Sequence, residues 1–161
     1  RARRLRRPVP VSAKGFLGGY VPFHFCPRSI LLYAIYSNAV SQYSQGQNPI
    51  VHLVSSVQQV AESDRQWAFT ERHAELAYAQ YFERLEDLDK VDMSVMPLRW
   101  WNDSDEKKER RNAEFLVHNF FPWELVSHIV VKTEQTKEKV QILLENADHK
   151  PQLAVKSDWY Y

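Results

Sequence analysis

The chain has 161 residues, of which 44% are hydrophobic and 25% charged, and its net charge is +1 at pH 7. This length predicts one domain with a sizeable core, and the near-neutral balance excludes a strong attraction of the whole molecule to nucleic acid. A lone cysteine, Cys26, excludes an internal disulfide and favours a reducing cytosol, and no apolar run is as long as a membrane span.

The first part of the chain alternates between strand-like and helix-like segments. Proline and glycine mark a loop, bulky aromatics and β-branched residues mark strands, and Ser29 is a candidate cap at the start of a helix. In chain order we expect a loop over residues 8–19, a strand over 20–25 and a helix over 29–41. A strand over 50–56, a short helix over 56–63 and a strand over 67–70 follow.

The longest helical pattern covers residues 71–91, with one apolar face formed by Tyr78, Tyr81, Leu85 and Leu88. After it we expect an irregular segment over residues 96–105, a charged and exposed helical turn over 104–112 and a strand over 113–121. A short helix over 122–128, a strand over 129–133, a helix over 138–148 and a final strand over 152–161 complete the chain order. Strands and helices are mixed without strict βαβ alternation. This order predicts an α+β fold with a mostly antiparallel or split sheet.

The segment AEFLVHNFFPWEL places one carboxylate, Glu114, at the start of a mostly apolar strand. One interpretation is a solvated strand end, where a charge costs little. The other is a catalytic carboxylate at the edge of a cleft, next to a mobile loop over residues 99–112. Such a group could bind a sugar hydroxyl or stabilise positive charge on an anomeric carbon. The spacing alone leaves both interpretations open.

Four segments carry a resemblance to a known family: YVPFHFCPRSILLYAIY, WAFTERHAELAYAQYF, KKERRNAEFLVHNFFPWELVSHIVV and the final SDWYY. They resemble DarT proteins, bacterial toxins that transfer ADP-ribose from NAD to thymine bases of single-stranded DNA. The resemblance runs through almost all of the chain in consistent order. It implies an ADP-ribosyltransferase-like fold over residues 1–161, with a split mixed sheet, flanking helices and an NAD cleft between its halves.

The resemblance also implies a catalytic pair. Glu114 corresponds to the family's catalytic glutamate, which would hold a ribose hydroxyl and balance the oxocarbenium-like charge. An essential arginine in an RR pair falls on Arg3 or Arg4, and we assign it to Arg3. That arginine would stabilise a deprotonated thymine, because a guanidinium with a pKa above ~12 is a poor base. By their charge, the arginines of this run also suit contact with DNA phosphates, and we assign Arg4 to DNA binding.

Further site residues follow from position in the resembling segments. The strand and turn at residues 23–29 imply NAD contacts by Phe25, Arg28 and Tyr33, although an aromatic core strand with a surface arginine explains the same residues. His73 would lie near the acceptor base or simply at a helix start. Adjacent aromatics and a cation suit base stacking as well as core packing, and we assign Arg99 and Trp101 to DNA.

NAD is the expected co-substrate. The spacing of His24, His52, His118 and Cys26 matches no metal-ligand pattern, so no metal is expected. The resemblance implies a toxin–antitoxin system with a DarG-type macrodomain antitoxin, and we expect a monomer in the bacterial cytoplasm. Family members carry a further upstream strand with NAD-binding residues, which this chain is expected to lack. The alternative function is a catalytically inert module that binds single-stranded nucleic acid.

Overall fold

A computed structural model of the protein describes residues 2–101 and 103–161. Two compact units are formed from interleaved parts of the chain. The first contains the residues up to Cys26 together with Val57–Phe121, and the second contains Pro27–Ser56 and Pro122–Tyr161. Because each unit joins two separated segments, neither is a contiguous half of the chain.

The described residues form strands β1–β7 at Tyr20–His24, Val51–Val54, Trp67–His73, Tyr81–Phe82, Ala113–His118, His128–Val131 and Gln152–Val155. Helices α1–α5 lie at Ala2–Arg6, Ile30–Tyr36, Val57–Ala61, Asp105–Arg111 and Glu134–Leu143. Short 3-10 turns lie at Leu17–Gly19, Leu85–Lys90, Met93–Val95, Trp123–Leu125 and Ser157–Trp159. No helix within the described ranges combines the length and the apolar character that crossing a membrane requires.

The first unit is built on an antiparallel sheet with the strand order β1-β5-β3-β4. Strand β5 lies in the interior of this sheet, and its first five residues are all buried. A strand that is covered on both faces reads as a continuous apolar run, which explains the sequence after Glu114. A hydrophobic cluster packs in this unit, formed by Val9, Leu17, Tyr20, Ala68, Ala74 and Leu116.

The second unit is built on a three-stranded sheet with the order β2-β6-β7. Strands β2 and β6 are antiparallel, whereas β6 and β7 are parallel. Helix α5 makes the crossover that a parallel pair requires, and the Thr133 side chain caps its first turn by accepting a hydrogen bond from the Thr136 amide. The buried Tyr160 hydroxyl lies 2.9 Å from the Ile50 carbonyl oxygen and 3.1 Å from that of Val130.

Much of the expected architecture is confirmed. The fold is α+β, and its strands lie in two sheets in which all pairs except β6–β7 are antiparallel. Helix α2 begins after Ser29, whose side chain accepts a hydrogen bond from the Leu32 amide. This helix ends at Tyr36, earlier than expected, and Asn38 just beyond it adopts a φ of 55°, which a right-handed helix cannot continue.

The helix expected over residues 71–91 is wrong. Residues 71–73 continue β3, a turn follows, Tyr81 and Phe82 form β4, and Leu85–Lys90 is a 3-10 turn. Tyr81 pairs across the sheet with Thr70, whereas Tyr78 is 57% exposed, so the supposed apolar face does not exist. Pairing with partners distant in the sequence overrides the local periodicity.

Candidate active site

Glu114 lies on the interior strand β5 of the first unit and is only 2% exposed. It is opposite His24 in the register between β1 and β5. The interpretation of Glu114 as a solvated strand end is therefore wrong. A buried carboxylate is costly unless it is paired and hydrogen-bonded, so its surroundings must supply both.

A β-bulge next to Glu114 shapes its backbone. The register between β3 and β5 shifts between Phe69 and His73. The Glu114 amide donates to the Thr70 hydroxyl oxygen at 3.2 Å, and that hydroxyl donates to the Arg72 carbonyl at 2.6 Å. The Thr70 side chain thus replaces a missing bond of the ladder. Bulges bend strands and redirect side chains, and they are frequent beside active sites.

The guanidinium of Arg4 binds both carboxylate oxygens of Glu114. Its Nη1 lies 3.2 Å from Oε1 and its Nη2 lies 2.7 Å from Oε2. The Ala74 amide also donates to Oε1, at 3.4 Å. A two-pronged contact of this kind is both strong and directional. Arg4 therefore supplies the countercharge for a carboxylate that has almost no access to water.

Helix α1, which carries Arg4, is held in place by the turn at Leu17–Gly19. The Leu17 amide donates to the Arg7 carbonyl at 2.8 Å. At Gly18 an added Cβ would lie 2.7 Å from Leu5 Cδ2 and 3.1 Å from Leu5 Cα, so helix and turn approach more closely than any side chain would permit. Arg7 fixes the end of the helix by donating from Nη2 to the Glu75 carbonyl at 2.6 Å.

Two imidazoles and a phenol complete the surroundings of Glu114. His73, at the end of β3, places Nε2 4.0 Å from Glu114 Oε1. The Tyr81 hydroxyl donates to the Ala74 carbonyl at 2.6 Å, and burial together with the Glu114 charge raises the pKa of Tyr81 to about 12. His24 lies at the end of β1 and is partly open to solvent, and the protein atoms around it still lower its pKa by desolvation, with Arg4 and His73 acting in the same direction and Glu114 against it.

His24 and Tyr81 belong to this cluster, although the sequence suggested neither of them for it. From the sequence, His24 was a candidate only for metal binding, and Tyr81 was predicted on a helix face. Their proximity depends on the registers β1–β5 and β3–β4, which no local pattern reveals. Among the described residues, no group of three or more His, Cys, Asp or Glu side chains could hold a metal ion.

Arg3 differs from Arg4 in its surroundings. Its side chain is exposed and forms no hydrogen bond or ion pair with any described residue. It lines a shallow depression together with Arg6 and Arg7. The guanidinium that reaches Glu114 thus belongs to Arg4, and a catalytic role of Arg3 stays a prediction.

The residues assigned to NAD lie in both units, each with partners of its own. In the first unit, the Phe25 ring makes edge contacts with Phe69 and Phe115, with centroids 6.5 Å apart in both cases. In the second unit, Arg28 donates from Nη1 to the Asp158 carbonyl at 2.6 Å, and Tyr33 packs edge-on against Tyr161. Their roles toward NAD stay predictions.

The segment assigned to DNA contains a buried and an exposed tryptophan. Trp101 is 4% exposed, and the buried Arg111 lies over its ring at 5.8 Å. Trp100 is 68% exposed, and Arg99 is exposed beside it. The ring that solvent can reach is therefore Trp100. Within the predicted loop 99–112, residues 105–111 form α4, and Asn102 lies outside the described residues.

Taken together, the first unit presents a buried carboxylate, a fixed guanidinium, two imidazoles and a phenol around one strand. A carboxylate so placed can hold a hydroxyl group or stabilise a developing cation, and a guanidinium beside it can stabilise a developing anion. Side chains that are fixed on strands by hydrogen bonds keep such a geometry better than side chains on loops.

Comparison with known proteins identifies the family that the chain resembles. The family model described as "ssDNA thymidine ADP-ribosyltransferase, DarT" matches residues 1–161. A DNA ADP-ribosyl transferase of Thermus sp. (strain 2.9) is 43% identical over 161 residues, which are 99% of this chain and 77% of that protein.

Solved structures are also similar. Thermus sp. 2.9 DarT in complex with ADP-ribosylated ssDNA matches with a TM-score of 0.96 at 42% identity, covering 99% of this chain and 77% of that one. Thermus sp. 2.9 DarT in complex with NAD+ matches with a TM-score of 0.95 at 42% identity, covering 100% of this chain and 82% of that one. The family match over the whole chain and the similarity of both sequence and structure agree, and the chain belongs to the DarT family of ssDNA thymidine ADP-ribosyltransferases.

Proposed function

We propose that this chain transfers ADP-ribose from NAD+ to thymine bases of single-stranded DNA, with Glu114 as its catalytic carboxylate and Arg4 as the cation beside it. The observation that carries this assignment is the two-pronged contact between Arg4 and the buried Glu114, in a chain of the DarT family. Buried ion pairs contribute little to stability, so a functional reason for keeping one at this place is favoured.

In the first step the bond between nicotinamide and ribose breaks. Its electron pair leaves with nicotinamide, which becomes neutral, and positive charge develops on the ribose. Glu114 holds a ribose hydroxyl and balances this charge. Preorganised groups of this kind each lower the free-energy barrier of the reaction by about 3 to 4 kcal/mol, as judged by removing them one at a time. The strand and the bulge hold the carboxylate in place before the substrate arrives.

In the second step thymine becomes the nucleophile. Only one ring nitrogen of thymine in DNA carries a proton. It attacks the ribose carbon with the electron pair of its N–H bond, and that proton passes to the surrounding water. Arg4 stabilises the negative charge that develops on the base, as an always-protonated group does well. His73 is assigned to the acceptor side of the site, because its Nε2 lies 4.0 Å from Glu114 and the ring remains partly exposed.

The remaining assignments concern binding. Phe25 is assigned to nicotinamide, Arg28 to the NAD phosphates or ribose, and Tyr33 to packing beneath the dinucleotide. Arg99 is assigned to the DNA. For base stacking at the same place, Trp100 is better suited than Trp101, because its ring is exposed.

A free bacterial enzyme that attaches ADP-ribose to thymine in DNA would poison its own host. We therefore assign the chain to a toxin–antitoxin system in the bacterial cytoplasm, with a DarG-type macrodomain antitoxin that removes the ADP-ribose. We further assign a monomeric state, which size-exclusion chromatography with light scattering would test. Growth of cells that express the chain with and without a macrodomain hydrolase would test the pairing.

Intact mass spectrometry of a short single-stranded oligonucleotide after incubation with the chain and NAD+ tests the transfer. We expect a gain of one ADP-ribose on an oligonucleotide that contains thymine, no gain on a matched one without thymine, and no gain with Glu114→Ala. Binding of the thymine oligonucleotide should survive Glu114→Ala. Binding without any transfer by the unaltered chain would overturn the proposal and favour an inert nucleic-acid-binding module.

A further inference from the structure

The arginines at the start of the chain face two different environments. Arg4 binds Glu114, and Arg7 donates to the Glu75 carbonyl at 2.6 Å, so both guanidiniums are engaged by the protein. Arg3 and Arg6 are exposed, and neither forms a hydrogen bond or ion pair with any residue that the structure describes. Helix α1 thus turns one set of charges inward and leaves a second set for an external anion.

The exposed arginines border a shallow depression of about 320 Å³, which is lined by Ala2, Arg3, Arg6, Arg7 and Pro8. Among the residues that the structure describes, no acidic side chain is part of this lining. A groove with several guanidiniums and no carboxylate attracts phosphates, and arginine suits them because its planar fork matches two phosphate oxygens.

An exposed aromatic ring lies next to this depression in the fold. Phe16 pairs through an isolated antiparallel bridge with Pro8, one of the lining residues. The bridge is supported by the turn at Gly15, whose carbonyl accepts from the Val9 amide at 3.0 Å. Phe16 is 57% exposed and makes no ring contact with any described residue. A basic groove beside a free aromatic ring is the arrangement that binds single strands.

We propose that Arg3 and Arg6 bind backbone phosphates of the single-stranded DNA acceptor and that Phe16 stacks on one of its bases. This strip, defined by Arg3, Arg6 and Phe16, rests on the proposed function for the identity of its ligand. The strip is distinct from the reacting groups, because Arg3 and Arg6 face solvent whereas Arg4 faces Glu114. All three arginines belong to the same five-residue helix, so the DNA and the catalytic cation are bound by one element of the fold.

Fluorescence anisotropy of a labelled single-stranded oligonucleotide, titrated with the chain over a series of salt concentrations without NAD+, tests the strip. The slope of log K against log salt should become less steep by about 0.7 for Arg3→Gln or Arg6→Gln and by about 1.4 for the pair. Phe16→Ala should weaken binding by about five- to a hundredfold and leave the slope unchanged.

Two matched controls come from the same unit. Arg84 is an exposed arginine that pairs with Glu86 at 3.1 Å, and Phe120 is 56% exposed with the Arg65 guanidinium 4.8 Å from its ring. Neither Arg84→Gln nor Phe120→Ala should change the affinity or the slope. Circular dichroism of each variant establishes that it is folded.

An unchanged salt slope in the double variant would overturn the proposal. So would a loss confined to the KM for NAD+, because the guanidiniums would then serve the diphosphate of the dinucleotide. The anisotropy measurement does not require transfer. If the unaltered chain binds the oligonucleotide through the strip but never modifies thymine, the proposed function fails and the strip stands.

Discussion

Arg4 and Glu114 are separated by 110 positions in the chain, yet their side chains form two hydrogen bonds of 3.2 and 2.7 Å. The neighbouring Arg3 makes no such contact with the described residues. This difference separates two arginines that the sequence alone could not distinguish.

Substitution of each arginine tests the assignment. We expect Arg4→Gln to reduce ADP-ribose transfer by at least about a hundredfold, because it removes a charge that faces the reacting groups. It should also lower the free energy of unfolding by about 2 kcal/mol or more, since a buried carboxylate loses its partner. Mass spectrometry of the oligonucleotide and urea denaturation measure the two effects.

Arg3→Gln is the matched control for the stability measurement. Because the Arg3 side chain is exposed and has no protein partner among the described residues, the free energy of unfolding should change by less than about 0.5 kcal/mol. A larger loss of stability in Arg3→Gln than in Arg4→Gln would contradict the geometry of the pair.

Gly18 controls how closely α1 approaches the turn. We expect Gly18→Ala to displace Leu5 and the helix, because the added Cβ would lie 2.7 Å from a Leu5 side-chain atom and 3.1 Å from its Cα. Arg4 would then lose its alignment with Glu114, and kcat should fall more than the KM for NAD+ rises. Steady-state kinetics measure this split.

Gly19→Ala is the neighbouring control, because no described residue apart from its two chain neighbours lies within 4 Å of a Cβ added there. We expect kinetics close to those of the unaltered chain. Adding Leu5→Ala to Gly18→Ala should restore part of kcat, since the closest side-chain atom is then absent. Equal loss in both glycine variants would argue against close approach as the cause.

Thr70 joins the bulge to the site through its hydroxyl. In Thr70→Val the Glu114 amide loses its acceptor at a fully buried position, and we expect the free energy of unfolding to fall by about 1 to 3 kcal/mol. Transfer should fall as well, because the strand loses the bond that fixes Glu114. Thr70→Ser keeps the hydroxyl and should retain more activity than Thr70→Val. The reverse order would exclude the hydroxyl as the fixing group.

We expect the stability of the second unit to depend on pH because of His52. Its ring packs edge-on against Trp159 and Tyr160, and burial lowers the pKa of His52 from 6.5 to about 4. The unfolded chain therefore binds the proton more readily than the folded chain does. The contribution of His52 to the free energy of unfolding is fully present above pH 6.5 and is lost as the pH falls toward 4.

The full shift corresponds to about 3 kcal/mol, and the partial exposure of the ring reduces the expected effect to roughly 1 to 2 kcal/mol. His52→Phe keeps an aromatic ring without a titrating group. Urea denaturation at several pH values should show a shallower acid dependence in this variant than in the unaltered chain. Parallel curves for the two proteins would mean that other groups cause the acid sensitivity.

Local patterns identified most strands, because β-branched and aromatic runs and their turns are encoded by neighbouring residues. The helix over residues 71–91 failed for the opposite reason. Thr70 and Tyr81 are partners across a sheet, and nothing in the spacing of Tyr81 and Leu85 distinguishes a helical face from a strand followed by a 3-10 turn. Pairing between distant segments decides such cases.

The candidate site was predictable to the extent that family resemblance carried it. Glu114 was identified from a strand motif, and the sequence left its burial open. The choice between Arg3 and Arg4 depends on the rotation of a five-residue helix. The choice between Trp100 and Trp101 depends on which ring packs beneath Arg111. Both are matters of packing in three dimensions, which adjacent residues of the same type do not reveal.

The strand order β1-β5-β3 has a consequence for biosynthesis. Strand β5 comes after β1 and β3 in the chain but lies between them in the sheet. The two earlier strands therefore cannot complete their native pairing until residues 113–118 have left the ribosome and inserted between them. Because Glu114 travels on this strand, a translation product that ends before residue 114 lacks the proposed catalytic carboxylate, and we expect it to transfer no ADP-ribose.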